Sequence, residues 1–301
     1  MVTMLIDAVF SGLSWNPVED VRRLLTYPFM VHALEAGTAV AVMAGVIGWF
    51  MVLRRQTFAG HTLAATAFTG ASAAGLAGIP VAIGYFGACG LGALALGYFG
   101  FCGLGAVVLA LIAGSSRSYS SESAATGTVQ AFALGLGFLF VALYHGILNG
   151  LDSLLFGTFL GITSSQVETL VVVAAVSVAV VGVASRPLLY ASVDPDVAGA
   201  GGVPVRLLGL GFLFVLGLSV AEASQITGAL LVFALLVTPA ATAQQITARP
   251  VAGVMLSVAL ALTVTWLGLA LAYFSIYPVG FYITSIAFGL YALTRLVRAF
   301  T

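Results

Sequence analysis

Lysine is absent from this chain of 301 residues, and its ten basic residues are all arginine, set against ten acidic ones. A nucleotide-cradling P-loop needs a lysine before its Ser/Thr, so no normal one is present. Schiff-base chemistry is excluded as well, because it needs a lysine amine. Charge of either sign is scarce, at 7% of residues, where a soluble domain carries about 25%. The formal net charge is zero, so no basic field is available to attract nucleic acid. Soft metal ligands are few: three histidines (His32, His61, His145) and two cysteines (Cys89, Cys102). The cysteines lie in an apolar stretch without a CxxC spacing or a partnering histidine pair. They read as core thiols and define no redox compartment.

What fills the chain instead is apolar. Hydrophobic residues make up 61% of it, and its mean hydropathy is +1.16. These values exclude a water-soluble globule and a disordered chain, and define an all-α, polytopic membrane protein. A spanning helix needs about 20 apolar residues, and backbone groups in hydrocarbon must be satisfied within the segment. Such runs occur at 31–53, 59–80, 82–113, 125–147, 166–185, 205–221, 226–247, 251–273 and 279–297. The expectation is about nine spans. Eight or ten stay open, because 59–80 holds polar and small residues and 205–221 is short.

Arginine placement gives the orientation. With Arg54 and Arg55 facing the cytoplasm, alternation puts Arg117, Arg186, Arg206, Arg249, Arg295 and Arg298 on the same side. Only Arg22 and Arg23, before the first span, are left outside. Nine spans then place the amino terminus outside and the carboxyl terminus inside. Residues 1–30 are expected to form an interfacial segment, and 31–301 a single polytopic domain. The first residues do not read as a secretory signal, since no positive charge precedes their apolar part. Leu5, Ile6, Val9, Phe10 and Leu13 share one helical face, which suits an interfacial helix. Asn16-Pro17-Val18-Glu19 reads as a fresh helix start. Residues 114–124 read as a polar linker. Tyr85–Ala93 recurs thirteen residues later as Tyr98–Ala106. Thirteen residues turn a helix by about 220° beyond whole turns, so the copies cannot form one packing stripe. Their glycines still permit close helix contact.

Four stretches carry more than hydrophobicity. Tyr27-Pro-Phe-Met30 precedes the first span, which ends in Val52-Leu-Arg-Arg-Gln-Thr-Phe-Ala-Gly-His61. Asp152-Ser-Leu-Leu-Phe-Gly-Thr-Phe-Leu-Gly161 forms an unusually apolar loop. Asp194-Pro-Asp-Val-Ala-Gly-Ala-Gly-Gly-Val-Pro-Val-Arg206 is a short, proline-bounded connection between spans. Thr227-Gly-Ala-Leu-Leu-Val-Phe-Ala-Leu-Leu-Val-Thr-Pro-Ala-Ala-Thr-Ala243 leads to Arg249. In these residues, and from about Tyr27 to Arg298, the sequence resembles the permease subunits of bacterial zinc/manganese ABC importers. The Thr227–Ala243 string is the most specific part of the resemblance.

The resemblance implies a type II ABC importer fold, a homodimer of permeases, a separate ATPase dimer and an extracytoplasmic metal-binding protein, all in the bacterial plasma membrane. The chain itself then catalyses no reaction and keeps no permanent cofactor; a divalent ion, zinc or manganese, passes through it. Residues 194–204 would form a short cytoplasmic coupling helix seated on the ATPase, with Asp194, Asp196, Val197 and Ala200 in that segment. Asp194 and Asp196 read as caps rather than ligands. The glycines among Ala198–Gly202 predict a short or frayed helix, at about 1 kcal/mol each in a helix interior.

Family members carry Phe-x-Gly-Asp-x-x-x-His after the double arginine. Here the matching positions are Phe58, Gly60, His61 and Ala65, so a histidine stands where the aspartate is expected and the family's histidine is missing. Neutral imidazole suits Zn²⁺ or Mn²⁺, which makes His61 the leading ligand. The other reading is a hydrogen-bonded packing histidine. Glu35, three residues after His32 on one helix face, and Glu222 are the accompanying metal candidates. Each also reads as a side chain reaching the outer headgroups. His145 and Asp152 fit an outer helix end. The rival to an importer is a secondary transporter, which needs intramembrane carboxylates as proton or sodium sites, and few acids fall within the spans. A structural or signalling membrane protein with no conduit is a third reading.

Overall fold

The computed structural model describes residues 17–76, 93–115, 119–143, 157, 161–275 and 277–300. Regular structure among them is entirely helical: α1 Pro17–Thr26, α2 Pro28–Leu53, α3 Thr57–Leu76, α4 Ala93–Ser115, α5 Tyr119–Leu143, α6 Ser164–Val193, α7 Pro195–Ala200, α8 Val205–Thr227, α9 Ala229–Ile246, α10 Pro250–Tyr273 and α11 Val279–Phe300. The interfacial face over Leu5–Leu13, the first repeat copy with Cys89, Arg117, His145 and Asp152 lie outside the described residues.

Every apolar run of the sequence contains a helix, because a long apolar segment has no other way to satisfy its backbone away from water. Among the described residues, seven helices are long and apolar enough to cross a membrane: α2, α5, α6, α8, α9, α10 and α11. Helix α4 contributes a shorter apolar stretch, Phe99–Ile112. Helix α3 carries Thr57, Thr62, Thr66, Thr69 and Ser72, and it is buried almost throughout from Gly60 to Ala74. Its low hydropathy follows from that position, since a helix surrounded by protein presents little surface to lipid. Its hydroxyls return to the backbone: Thr69 donates to Ala65 O at 3.0 Å and to Ala133 O at 2.6 Å, and Ser72 to Phe68 O at 2.9 Å.

The expected linker at 114–124 is largely helical. Helix α4 runs through Ser115, and residues 119–124 form the first turns of α5. Glu122 lies in that first turn, where a carboxylate is stabilised by the helix dipole. The polar residues at 114–115 and 119–124 are thus helical.

Helix α3 packs on α4 and α5, while α2 packs on α10, α9 and α6. Helices α8 and α9 join these groups, with α8 against α4, α3 and α6, and α9 against α2, α3, α10 and α11. The seams are built from small residues, which let backbones approach in lipid. A Cβ on Gly48 of α2 would overlap the Leu236 carbonyl of α9. In the second repeat copy, Cys102 is buried and its thiol donates to Leu63 O at 3.3 Å. It is the core thiol its setting suggests.

Candidate metal path

His61 sits in the second turn of α3, directly after the Arg54-Arg55 turn that ends α2. The turn is tight: Arg55 has a φ of 58°, a left-handed conformation that a non-glycine residue seldom adopts. Gln56 N–H then donates to Met51 O at 2.9 Å, which closes the chain back on α2. The His61 ring lies against Phe233 of α9, with centroids 4.4 Å apart and planes at 43°. Its Nδ1 is buried and has no hydrogen-bond partner. Buried polar atoms are nearly always paired, so this nitrogen is a donor or acceptor awaiting one. The hydrogen bond expected of a packing histidine is not made at Nδ1.

Phe233 was not singled out by the sequence, although it lies within the Thr227–Ala243 string. The structure assigns that string a further task. Leu236 within it offers its backbone to Gly48 of α2, and Gln244 just beyond donates to Trp49 O at 2.8 Å. Gly157, with φ +76°, packs its Cα against the backbone of Ile226 and Thr227, where a side chain would overlap main-chain atoms. That contact gives the glycine of the Leu-Phe-Gly motif a physical reason.

Glu222 and Glu35 lie elsewhere. Glu222 is 4% exposed on α8, and its carboxylate accepts from Gln225 Nε2 at 3.1 Å. Glu35 is half exposed and lies 3.5 Å from His32 Nδ1, while His32 Nε2 is 3.4 Å from Ser164 Oγ at the start of α6. Counting about 1.5 Å per helical residue, Glu35 is roughly 27 Å along α2 from the end bearing Arg54. Glu222 is roughly 25 Å along α8 from its Val205 end, whereas His61 is only about 6 Å into α3. Among the described residues, no group of three His, Cys, Asp or Glu side chains is placed to hold a metal ion. One copy of the chain therefore does not bring His61, Glu35 and Glu222 together.

The connection at 194–204 is helical only over Pro195–Ala200. Asp194 caps α7 by accepting from Val197 N–H at 3.0 Å, while Asp196 lies in the first turn. Gly202, at φ +82°, ends the turn, so the glycines shorten this helix as expected. Asp194, Asp196, Val197 and Ala200 are exposed, and Ala198 is fully buried. One face of α7 is thus anchored and the other is presented outward.

A bundle of helices long and apolar enough to cross a membrane defines a polytopic membrane protein. The chain belongs to the ABC 3 transport family, whose model matches residues 26–298. It is 31% identical over 229 residues to the manganese transport system membrane protein MntC of Halalkalibacterium halodurans, covering 75% of this chain and 73% of that one. It is 27% identical to the "Probable iron transport system membrane protein" of Haemophilus influenzae, over 74% of this chain and 76% of the other. Among solved structures it resembles PsaBC from Streptococcus pneumoniae in complex with Fab. That match has a TM-score of 0.76 at 26% identity, over 92% of this chain and 94% of that one. The solved structure "An inward-facing conformation of a putative metal-chelate type ABC transporter" shares the fold, with a TM-score of 0.69 at 17% identity over 98% of this chain and 96% of that one. The protein is accordingly a multi-pass membrane subunit of an ABC transporter of the bacterial plasma membrane, and ATP hydrolysis belongs to a separate subunit. Family membership decides against the secondary-transporter reading.

Proposed function

We propose that this chain is the permease of an importer for a divalent transition metal, manganese or zinc, working as a homodimer. An ATPase dimer would sit on its cytoplasmic face and an extracytoplasmic metal-binding protein on the other. The observation that carries the reading is His61, whose buried, unpartnered Nδ1 stands in the helix that follows the family's double-arginine turn. Support for the metal comes from the relatives, named as manganese and iron transport proteins. Imidazole suits borderline divalent ions. One neutral ligand cannot hold such an ion alone, so the site would be completed by the second copy's His61 or by carboxylates such as Glu222 and Glu35 as the helices move. A loose ligand set favours passage, since a closed four-ligand cage releases its ion slowly. Nine spans with the amino terminus outside would put α7 on the cytoplasmic side, where its exposed residues meet the ATPase.

The test is uptake by the complete complex in proteoliposomes, with Mn²⁺, Zn²⁺ and Fe²⁺ offered singly and in competition. ATP-dependent accumulation of one of these ions supports the reading. Accumulation of none of them, by a complex that hydrolyses ATP and engages its binding protein, overturns it.

A further inference from the structure

Arg54 makes a three-way junction that the transport reading leaves unexplained. Its side chain leaves the α2–α3 turn and donates to Gln56 Oε1 at 3.2 Å through Nε, and to Ser192 Oγ at 3.4 Å through Nη1. Its guanidinium carbon lies 5.5 Å from the centre of the Phe212 ring on α8. Gly209, one turn earlier on α8, lies beside Nη2, which a Cβ there would meet at 3.4 Å, an ordinary van der Waals contact. Among the described residues, no carboxylate forms an ion pair with this half-buried guanidinium.

The partners matter because of what they adjoin. Ser192 stands two residues before Asp194, the cap of α7, in the last turn of α6. Phe212 stands in the helix that leaves α7 on its other side. One side chain therefore grips both arms of the α6–α7–α8 unit and ties them to the turn from which α3 starts. His61 follows seven residues later on that helix. Long hydrogen bonds and a cation–π contact are weak individually, so the junction can part and re-form where a buried carboxylate pair would lock.

We propose that Arg54 is the positioning residue that carries displacement of α7 to α3, so that docking at the coupling helix and the setting of His61 change together. A helix moves as a unit over a few turns, so shifting the α6 and α8 ends drags the α2–α3 turn, and α3 follows. The inference rests on the importer reading for what is transported, but the mechanical link is separable from it.

The experiment uses the complex of permease, ATPase and binding protein in proteoliposomes, with Mn²⁺ alone as the probe. A cysteine at the exposed Phe58 (Phe58→Cys, in a chain also carrying Cys89→Ser and Cys102→Ala) reports on the start of α3. With Arg54 present, ATP should change its labelling rate. In Arg54→Gln that change should vanish and Mn²⁺ moved per ATP should fall about tenfold, within the usual range of coupling between sites, while basal hydrolysis persists. Arg54→Lys should restore part of both, and Ser192→Ala should weaken both in the same direction. Arg54→Gln with nucleotide-dependent labelling and normal ions per ATP overturns the proposal. Joint loss of assembly and hydrolysis also overturns it, by reducing Arg54 to a structural clamp. A complex that moves no Mn²⁺ but whose Phe58→Cys labelling still follows ATP through Arg54 refutes the Mn²⁺ reading and leaves the link standing.

Discussion

At the scale of single residues, two positions matter for opposite reasons. His61 is where chemistry is possible, because its Nδ1 is buried and unpaired while its ring is fixed on Phe233. His61→Ala should cut metal uptake by tenfold or more, since even the loss of a group behind a metal ligand costs about 10–100-fold. Assembly and basal ATP hydrolysis should be unchanged. Normal uptake with unchanged ion preference would make it a packing residue. Gly48 is where chemistry is impossible and proximity is everything, since α9 backbone fills the space where a side chain would be. Gly48→Val should force α2 and α9 apart at a cost of about 1–3 kcal/mol. Thermal denaturation of the purified chain in detergent should show a lowered midpoint, and an unchanged one would refute the close approach. The two positions are linked, because α9 carries both Leu236 and Phe233.

At the scale of elements, α7 shows how a short helix can be both anchored and presented. Asp194 fixes its start, Gly202 ends it, and Ala198 is fully buried, which leaves Val197 and Ala200 facing outward. Cysteines at Val197 or Ala200 should crosslink to the ATPase subunit and react with impermeant reagents from the cytoplasmic side only. Reaction from outside would invert the topology as well as remove the coupling role. Much of this scale was legible in the residues. A run of about 20 apolar residues has only helix open to it, and all nine such runs contain one. The glycines among Ala198–Gly202 pointed to a short helix within 194–204, and it covers only Pro195–Ala200. The stretch 119–124 was misread as linker because Ser and Glu are polar, although they also suit the first turn of a helix. What could not be read was which faces meet. The tilted contact of His61 with Phe233 joins residues far apart in the chain, and no periodicity along either helix names its neighbour. Nor could hydropathy show that α3 is the buried helix, because a polar run reads the same whether it is a weak span or one shielded by α4 and α5.

At the scale of the whole molecule, the described residues of one copy assemble no group of three metal-ligating side chains. They offer the His61 ring nitrogen near the Arg54 end of α3, while Glu35 and Glu222 lie along other helices. A divalent ion needs several ligands at once, so a path through one copy would leave it poorly held for most of the distance. Two copies around a shared axis double the ligands available at each level, and a closed two-fold arrangement is the commonest way for identical chains to assemble. If both His61 side chains serve one path, uptake should not fall in proportion to the number altered. A mixed dimer carrying one wild-type and one His61→Ala copy can be isolated by two different affinity tags. Fusing the copies end to end is no substitute, because the expected termini face opposite sides of the membrane. The mixed dimer should transport at close to the rate of the doubly altered complex. A rate near half that of the wild type would mean that each copy conducts alone, and the ligands completing the His61 site would then have to come from within a single chain.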